Sequence, residues 1–274
     1  MDDTLAQNGH GSSHSTNLVG RPSAFMASPA FNDAPIPLHI WGVREMNPAL
    51  FAMLDQAETL AEAGEAFLAY MVAMFGIDPE QREAAPGSRK RYRSSFLRLV
   101  QGWGFDSNGP EGAVLKGWVE SRFGILPSFH KEIIADIDGP VWQTYVAERM
   151  QSRFHDNAIL VQLDLLFEFC QWAISRFAYP GQSHVTLYRG INAVDRHGIL
   201  EQPDKRAAVI RLNNLVSFSS DREVADCFGD RIITTRVPLA KVLFFPGLLP
   251  SHLLRGEREF LVLGGAFRVS IEDI

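Results

Sequence analysis

From Asn47 onward, apolar residues return every three or four positions: Leu50, Phe51, Leu54, Ala57, Leu60 and Ala61, then Phe67, Met71, Met74 and Phe75. That spacing lines them along one face of a helix. Pro79 and the Ala85-Pro86-Gly87 segment end the pattern. A second helix is predicted from Arg91 to Gln101, burying Phe96, Leu99 and Val100. A third runs from about Ala158 to Phe177, with Leu160, Leu163, Leu166, Phe167 and Cys170 facing inward. From about residue 182 the texture changes to short β-type runs at 184–189, 207–211, 214–219, 231–237, 241–245, 259–263 and 266–271. Helices first and strands afterwards predict an α+β architecture, a helical region packed on a mixed β-sandwich, and not a βαβ alternation.

Composition sets the boundaries. Residues 1–35 are rich in Ser, Asn, Gly, His, Ala and Pro without apolar periodicity, and read as a mostly disordered tail. Residues 36–181 form the mainly helical region and 182–274 the β-rich core. His10 and His14 sit in the tail without carboxylate or cysteine support, so no metal site is expected there. A net charge of −6 opposes generic nucleic-acid binding, which needs a basic face. The run Arg89-Lys90-Arg91-Tyr92-Arg93 is the exception, read first as a solvated helix start and otherwise as a docking surface for an acidic partner. Cys170 and Cys227 are the two cysteines, which fits a reducing cytoplasm and excludes a cysteine-ligated cluster. The acidic start has no apolar signal core after it, and no apolar run approaches the roughly 20 residues of a membrane helix. The expected setting is cytoplasmic, with no membrane span.

Three short segments carry the candidate chemistry. Near the C-terminus stands Arg255-Gly256-Glu257-Arg258-Glu259-Phe260-Leu261-Val262-Leu263. On extended chain, residues i and i+2 point to the same side, so Glu257 and Glu259 would aim together. Two such carboxylates repel and resist desolvation, which favours a functional reading over a solvated turn once other motifs join them. Upstream lie Val185-Thr186-Leu187-Tyr188-Arg189-Gly190, a β-type run ending in arginine, and Leu215-Val216-Ser217-Phe218-Ser219-Ser220, whose serines alternate onto one face. Strand-Arg, strand-Ser-x-Ser and Glu-x-Glu-strand therefore follow one another within about 70 residues.

That order resembles the arginine–serine–glutamate class of mono-ADP-ribosyltransferases, which includes clostridial-type toxins and vertebrate ecto-enzymes. Asp221 to Ile233, containing Phe228-Gly229-Asp230-Arg231, resembles the helix and phosphate–nicotinamide loop of the class. The glycine- and tryptophan-rich block Gly102-Trp103-Gly104-Phe105-Asp106 to Gly124 is a ligand wall, a partner surface or a loop capping the helices. Together with Pro127-Ser128-Phe129-His130-Lys131, it is similar to the bacterial dinitrogenase reductase ADP-ribosyltransferases, through most of the chain beyond the tail.

The resemblance implies an ADP-ribosyltransferase core that uses NAD as co-substrate without a Rossmann turn, and indeed no Gly-x-Gly-x-x-Gly follows a strand. It implies that Glu259 stabilises the charge developing on the nicotinamide ribose, that Ser217 orients Glu259, and that Arg189, followed by Gly190, holds the NAD phosphates. Arg231 would meet the pyrophosphate. Phe228 would pack on nicotinamide, with a place in the core as the plainer alternative. Glu257 would attract and orient an acceptor guanidinium, giving arginine specificity; a group that stays charged in water needs such a carboxylate. The implied acceptor is dinitrogenase reductase, the nitrogenase iron protein, and the implied regulatory carrier a PII-type protein. Three other readings remain at this point: a toxin-like arginine transferase with another target, a non-catalytic NAD-sensing module, and NAD hydrolysis as a side reaction.

Overall fold

In the computed structural model, residues 17–77, 95–151, 157–192, 198–250 and 259–273 are described. Helix boundaries follow local capping chemistry. Helix α1 spans Ser23–Met26 and α2 Pro29–Asp33, the latter started by Ser28, whose hydroxyl accepts from the Phe31 N–H. Helices α3 (Val43–Met46) and α4 (Pro48–Leu54) precede α5 (Leu60–Phe75). The apolar stripe expected to run on from Asn47 to Phe75 is broken between α4 and α5. There Thr59 caps a fresh helix by accepting from the Glu62 N–H, and Gly76, at φ 59°, closes it. Helix α6 covers Phe96–Phe105, not residues 91–101, because Ser95 supplies its N-cap. The basic run at 89–93 lies outside the described residues.

Helices α7 (Pro110–Phe123) and α8 (Pro140–Arg149) carried no periodic signal. In α7 every residue from Gly112 to Val119 is buried, so there is no polar face to set a period of 3.6. A two-stranded ribbon, β1 (Phe129–His130) and β2 (Glu132–Ile133), lies between them. Helix α9 (Asn157–Ala173) continues into one turn of π-helix, Ile174–Ala178. By length and composition Ala158–Ala178 is apolar enough to cross a membrane, contrary to the sequence expectation; 72% of its apolar 18-residue window is buried inside the fold, as a core helix requires.

The strands are β3 (His184–Ile191), β4 (Gly198–Asp204), β5 (Ala207–Ser219), β6 (Arg231–Pro238), β7 (Val242–Phe244) and β8 (Glu259–Asp273). A short helix, α10 (Arg222–Asp226), follows β5. The expected α+β class holds, with one refinement: every described strand pairing is antiparallel, where a mixed sheet was expected. β3 pairs with β6, β6 with β8, β8 with β5, and β5 returns to β3 through Tyr188 opposite Ser219, so these four strands close a circuit. β5 and β8 are each one long strand where two were expected. At Gly264 a Cβ would lie 1.5 Å from the Asn213 carbonyl oxygen, and Gly265 has φ +117°, so glycine lets β8 cross the bulge in β5 unbroken.

The residues read as a disordered tail need correcting from Asn17 onward. Met26 and Phe31 are fully buried, Asn32 donates to the Ala266 carbonyl at 2.8 Å, and Ala266 N–H donates to the Ala27 carbonyl at 2.7 Å. A few well-placed apolar anchors and sheet hydrogen bonds order this segment without any periodic pattern. Residues 1–16 lie outside the described residues. One apolar cluster runs from Val19 through the helices to Ile271 and joins the helical and β-rich regions.

Two carboxylates on α9 are paired inside that cluster. Asp164 on α9 accepts from Trp118 Nε1 at 2.7 Å and takes both Arg122 Nε and a terminal Arg122 nitrogen, at 2.7 and 2.9 Å. Glu168, fully buried one turn further on, accepts from Ile40 N–H at 2.7 Å and Arg44 Nε at 2.6 Å and meets His39 Nδ1 at 3.1 Å. Burial pushes the Glu168 carboxyl up, but these donors outweigh it and hold it below its ordinary 4.5. Its contribution to stability is therefore complete above the unfolded value and disappears as pH falls through the lowered native value. Glu168→Gln should cost about 1–3 kcal/mol at pH 7 in urea unfolding. The difference from wild type should shrink as pH drops below 4.5; a pH-independent difference would show that the charge is not what matters.

Candidate active site

Three strands and two helix ends build one cleft of about 360 Å³. β3 contributes Tyr188, Arg189 and Gly190, β5 contributes Ser217, Phe218 and Ser219, and β8 begins at Glu259. Antiparallel register sets Ser219 opposite Glu259 and Ser217 opposite Leu261. With side chains alternating, Ser217, Ser219 and Glu259 share the face that lines the cleft. The hydroxyl of Ser217 crosses the diagonal and donates to Glu259 Oε1.

The opposite wall is α10 and the turn after it. Asp221 caps α10 by accepting from Glu223 N–H at 3.0 Å, and the chain then turns through Phe228 and Gly229. Gly190 lies flush against that turn: a Cβ there would stand 2.2 Å from the Ala225 carbonyl oxygen and 3.0 Å from Gly229 N. The close approach, and not backbone conformation, is what requires glycine at 190. The last turn of α6 and the residues after it, Trp103 to Ser107, complete the lining.

Burial gives the site its electrostatics. Glu259 is 4% exposed, and Arg189 is half-buried, with its Nε out of solvent. Burial lowers the arginine pKa and the Glu259 charge opposes that shift. One terminal nitrogen of Arg189 donates to the Ser217 carbonyl at 2.7 Å, whereas its buried Nε meets no acceptor among the described residues. A half-buried guanidinium with a spare N–H at a cleft wall fits an anionic ligand, which supplies the missing acceptor. The arrangement can therefore bind an anion at Arg189 while Glu259 faces developing positive charge in a partly dry cleft.

Of the residues singled out in the sequence, the structure brings Arg189, Gly190, Ser217, Phe228 and Glu259 to this one cleft. Phe228 is 54% exposed at the rim, so it is not a core residue. Arg231 is elsewhere: it pairs with Asp273 at 2.8 Å and lines a separate depression with Lys205 and Arg206. β6 register places it opposite Ile191 and Asp273, outside the residues that line the cleft. Glu257 lies outside the described residues. Among those described, no group of three His, Cys, Asp or Glu side chains is arranged to hold a metal ion. Trp103, Phe105 and Asp106 were not assigned individually from sequence. The unusual Gly-Trp-Gly-Phe-Asp run is open to three readings, a ligand wall, a partner surface or a loop capping the helices, and none says which side chain does what.

A strand arginine, a strand serine and a buried strand glutamate converging on one cleft is the arrangement that the arginine–serine–glutamate resemblance implied. The chain matches the family profile described as dinitrogenase reductase ADP-ribosyltransferase over residues 16–271, and it belongs to that family. The curated NAD(+)–dinitrogen-reductase ADP-D-ribosyltransferase of Rhodospirillum rubrum is 58% identical over 262 residues, covering 94% of this chain and 95% of that protein. No solved structure matches the chain.

Gly190→Ala should displace the 225–229 turn and deform the cleft while leaving the core strands paired. The expected result is a clear loss of ligand binding in the cleft by calorimetry, with a melting temperature lowered by only a few degrees. Binding equal to wild type would show that the turn yields without consequence.

Proposed function

We propose that this protein transfers ADP-ribose from NAD to an arginine side chain of dinitrogenase reductase. The observation that carries the reading is the convergence of Arg189, Ser217 and buried Glu259 on one cleft, in a chain 58% identical to a protein named for that reaction. NAD supplies the ADP-ribosyl group. Arg189 binds the phosphates through its unpaired Nε–H and orients the dinucleotide. Glu259 faces the ribose and stabilises the positive charge that develops as the nicotinamide bond opens, as carboxylates do in glycoside cleavage. Ser217 holds Oε1 of that glutamate through its hydroxyl. Phe228, at the rim, offers a flat apolar surface for the nicotinamide.

The acceptor approaches from the open side. Asp106 and Phe105, the latter 92% exposed, stand at the mouth with negative charge and an aromatic face, both suited to a guanidinium. Glu257, two residues before Glu259, is the carboxylate that orients the acceptor nitrogen and assists its proton loss, so transfer is specific for arginine. Family likeness further supports a PII-type protein as regulatory partner and a cytoplasmic setting.

The test is NAD-dependent labelling of purified dinitrogenase reductase, with the modified residue mapped and Glu259→Gln run alongside. Labelling on arginine is expected, reduced by at least about 10²–10³-fold in the variant. NAD hydrolysis with no labelling, even with the PII-type protein added, would remove this target and keep the chemistry. NAD binding without nicotinamide release would point instead to an NAD-sensing module.

A further inference from the structure

A hydrogen bond joins the helical region to the reaction centre. Trp103, in the last turns of α6, is 4% exposed, and its Nε1–H donates to Ser217 Oγ at 2.8 Å. The same Oγ donates to Glu259 Oε1. An indole nitrogen is a donor only, whereas a hydroxyl carries one proton and two lone pairs. With Trp103 occupying a lone pair, the serine proton is directed to the glutamate and the Oγ rotor has one satisfied position. Without Trp103, the hydroxyl can turn to other acceptors and the carboxylate loses its fixed orientation.

The indole itself is anchored. Lys116 Nζ lies 5.9 Å from its ring and is held by Asn108 Oδ1, the Phe129 carbonyl and His130 Nδ1 at 3.1–3.3 Å. His130 is held in turn by Glu148 at 2.8 Å. The lysine is 1% exposed, and burial draws its pKa down to about 8. α7 therefore sets a fixed lysine beside the indole of α6.

We propose that Trp103 is a positioning residue of the ADP-ribosyl transfer: through Ser217 it fixes the rotamer and hydrogen bonding of Glu259, so the catalytic centre is assembled only when α6 is docked on β5. This rests on the transferase reading above. It goes beyond the strand-borne Arg, Ser and Glu by adding a residue from the helical region to the machinery.

Two replacements separate the hydrogen bond from the bulk of the ring. Trp103→Phe removes the N–H and part of the volume. β-(3-Benzothienyl)alanine at position 103 keeps the bicyclic shape and removes only the donor, and it decides the matter if the Phe variant fails to fold. Either folded protein should lose kcat for NAD cleavage about 10- to 100-fold, with KM for NAD within about twofold of wild type. A purely structural tryptophan would leave kcat of the benzothienyl protein unchanged, and that result would overturn the proposal. A rise in KM alone would make Trp103 a wall of the NAD site and would overturn it as well. A second readout needs no turnover: the Trp103 indole N–H resonance should shift on Ser217→Ala. An unmoved resonance denies the contact. A shifted resonance in a wild-type protein that cannot cleave NAD would refute the transferase reading, and with it the catalytic meaning of the bond.

Discussion

The antiparallel register of β5 on β8 is the constraint on which the rest depends. It places Ser219 opposite Glu259 and Ser217 one diagonal step away, within hydrogen-bond reach of the carboxylate. The side-chain period of a strand is two, so a slip of one residue would send Glu259 to the other face and leave a charge inside the core. The first nine residues of β8, Glu259 to Phe267, are all buried, so the strand is packed on both faces and Glu259 sits inside that packing. The same packing that stabilises the sheet therefore aims the glutamate. β3 is tied into this frame by Tyr188 opposite Ser219, which brings Arg189 beside the pair.

The helical region is fastened to that frame by buried polar groups at the irregular points of the strands. Where β5 bulges, Asn214 donates to the Lys116 and Ile125 carbonyls at 2.8 and 2.9 Å, and Asn213 bonds Ser128 N–H and the Phe129 carbonyl at 3.0 and 2.8 Å. Unpaired strand amides would be costly inside a protein, and a bulge that exposes side-chain amides to a neighbouring helix satisfies several at once. On the other side, Gln171 and Cys170 of α9 bond backbone carbonyls at Leu239 and Val242. Helices and strands thus share one core, and a movement of α6 or α7 is felt at the site.

A buried carboxylate beside a half-buried guanidinium loses hydration, and their mutual attraction recovers only part of it. Such a pair is weak evidence of stabilisation and good evidence of use. Among the described residues the Arg189 Nε–H finds no acceptor, and Glu259 is held by a serine whose own hydroxyl is oriented by an indole. The groups are fixed before a ligand arrives, so little reorganisation remains for the moment of reaction.

The sequence by itself determined the α+β order, the long amphipathic helices and the three strand-borne groups Arg189, Ser217 and Glu259, because period-two and period-3.6 patterns are local and a motif of a few residues sits on one strand. It also determined the family likeness. It left α7 unread because a helix buried on all sides has no pattern, and it made residues 17–35 part of a disordered tail because their order comes from distant partners such as Ala266 and His184. Family likeness gave Arg231 a phosphate role, while β6 register pairs it with Asp273, outside the cleft lining. Only the tertiary structure decided that Trp103 touches Ser217, 114 residues away. No local pattern encodes a contact made by a helix and a strand that meet only when the shared core closes.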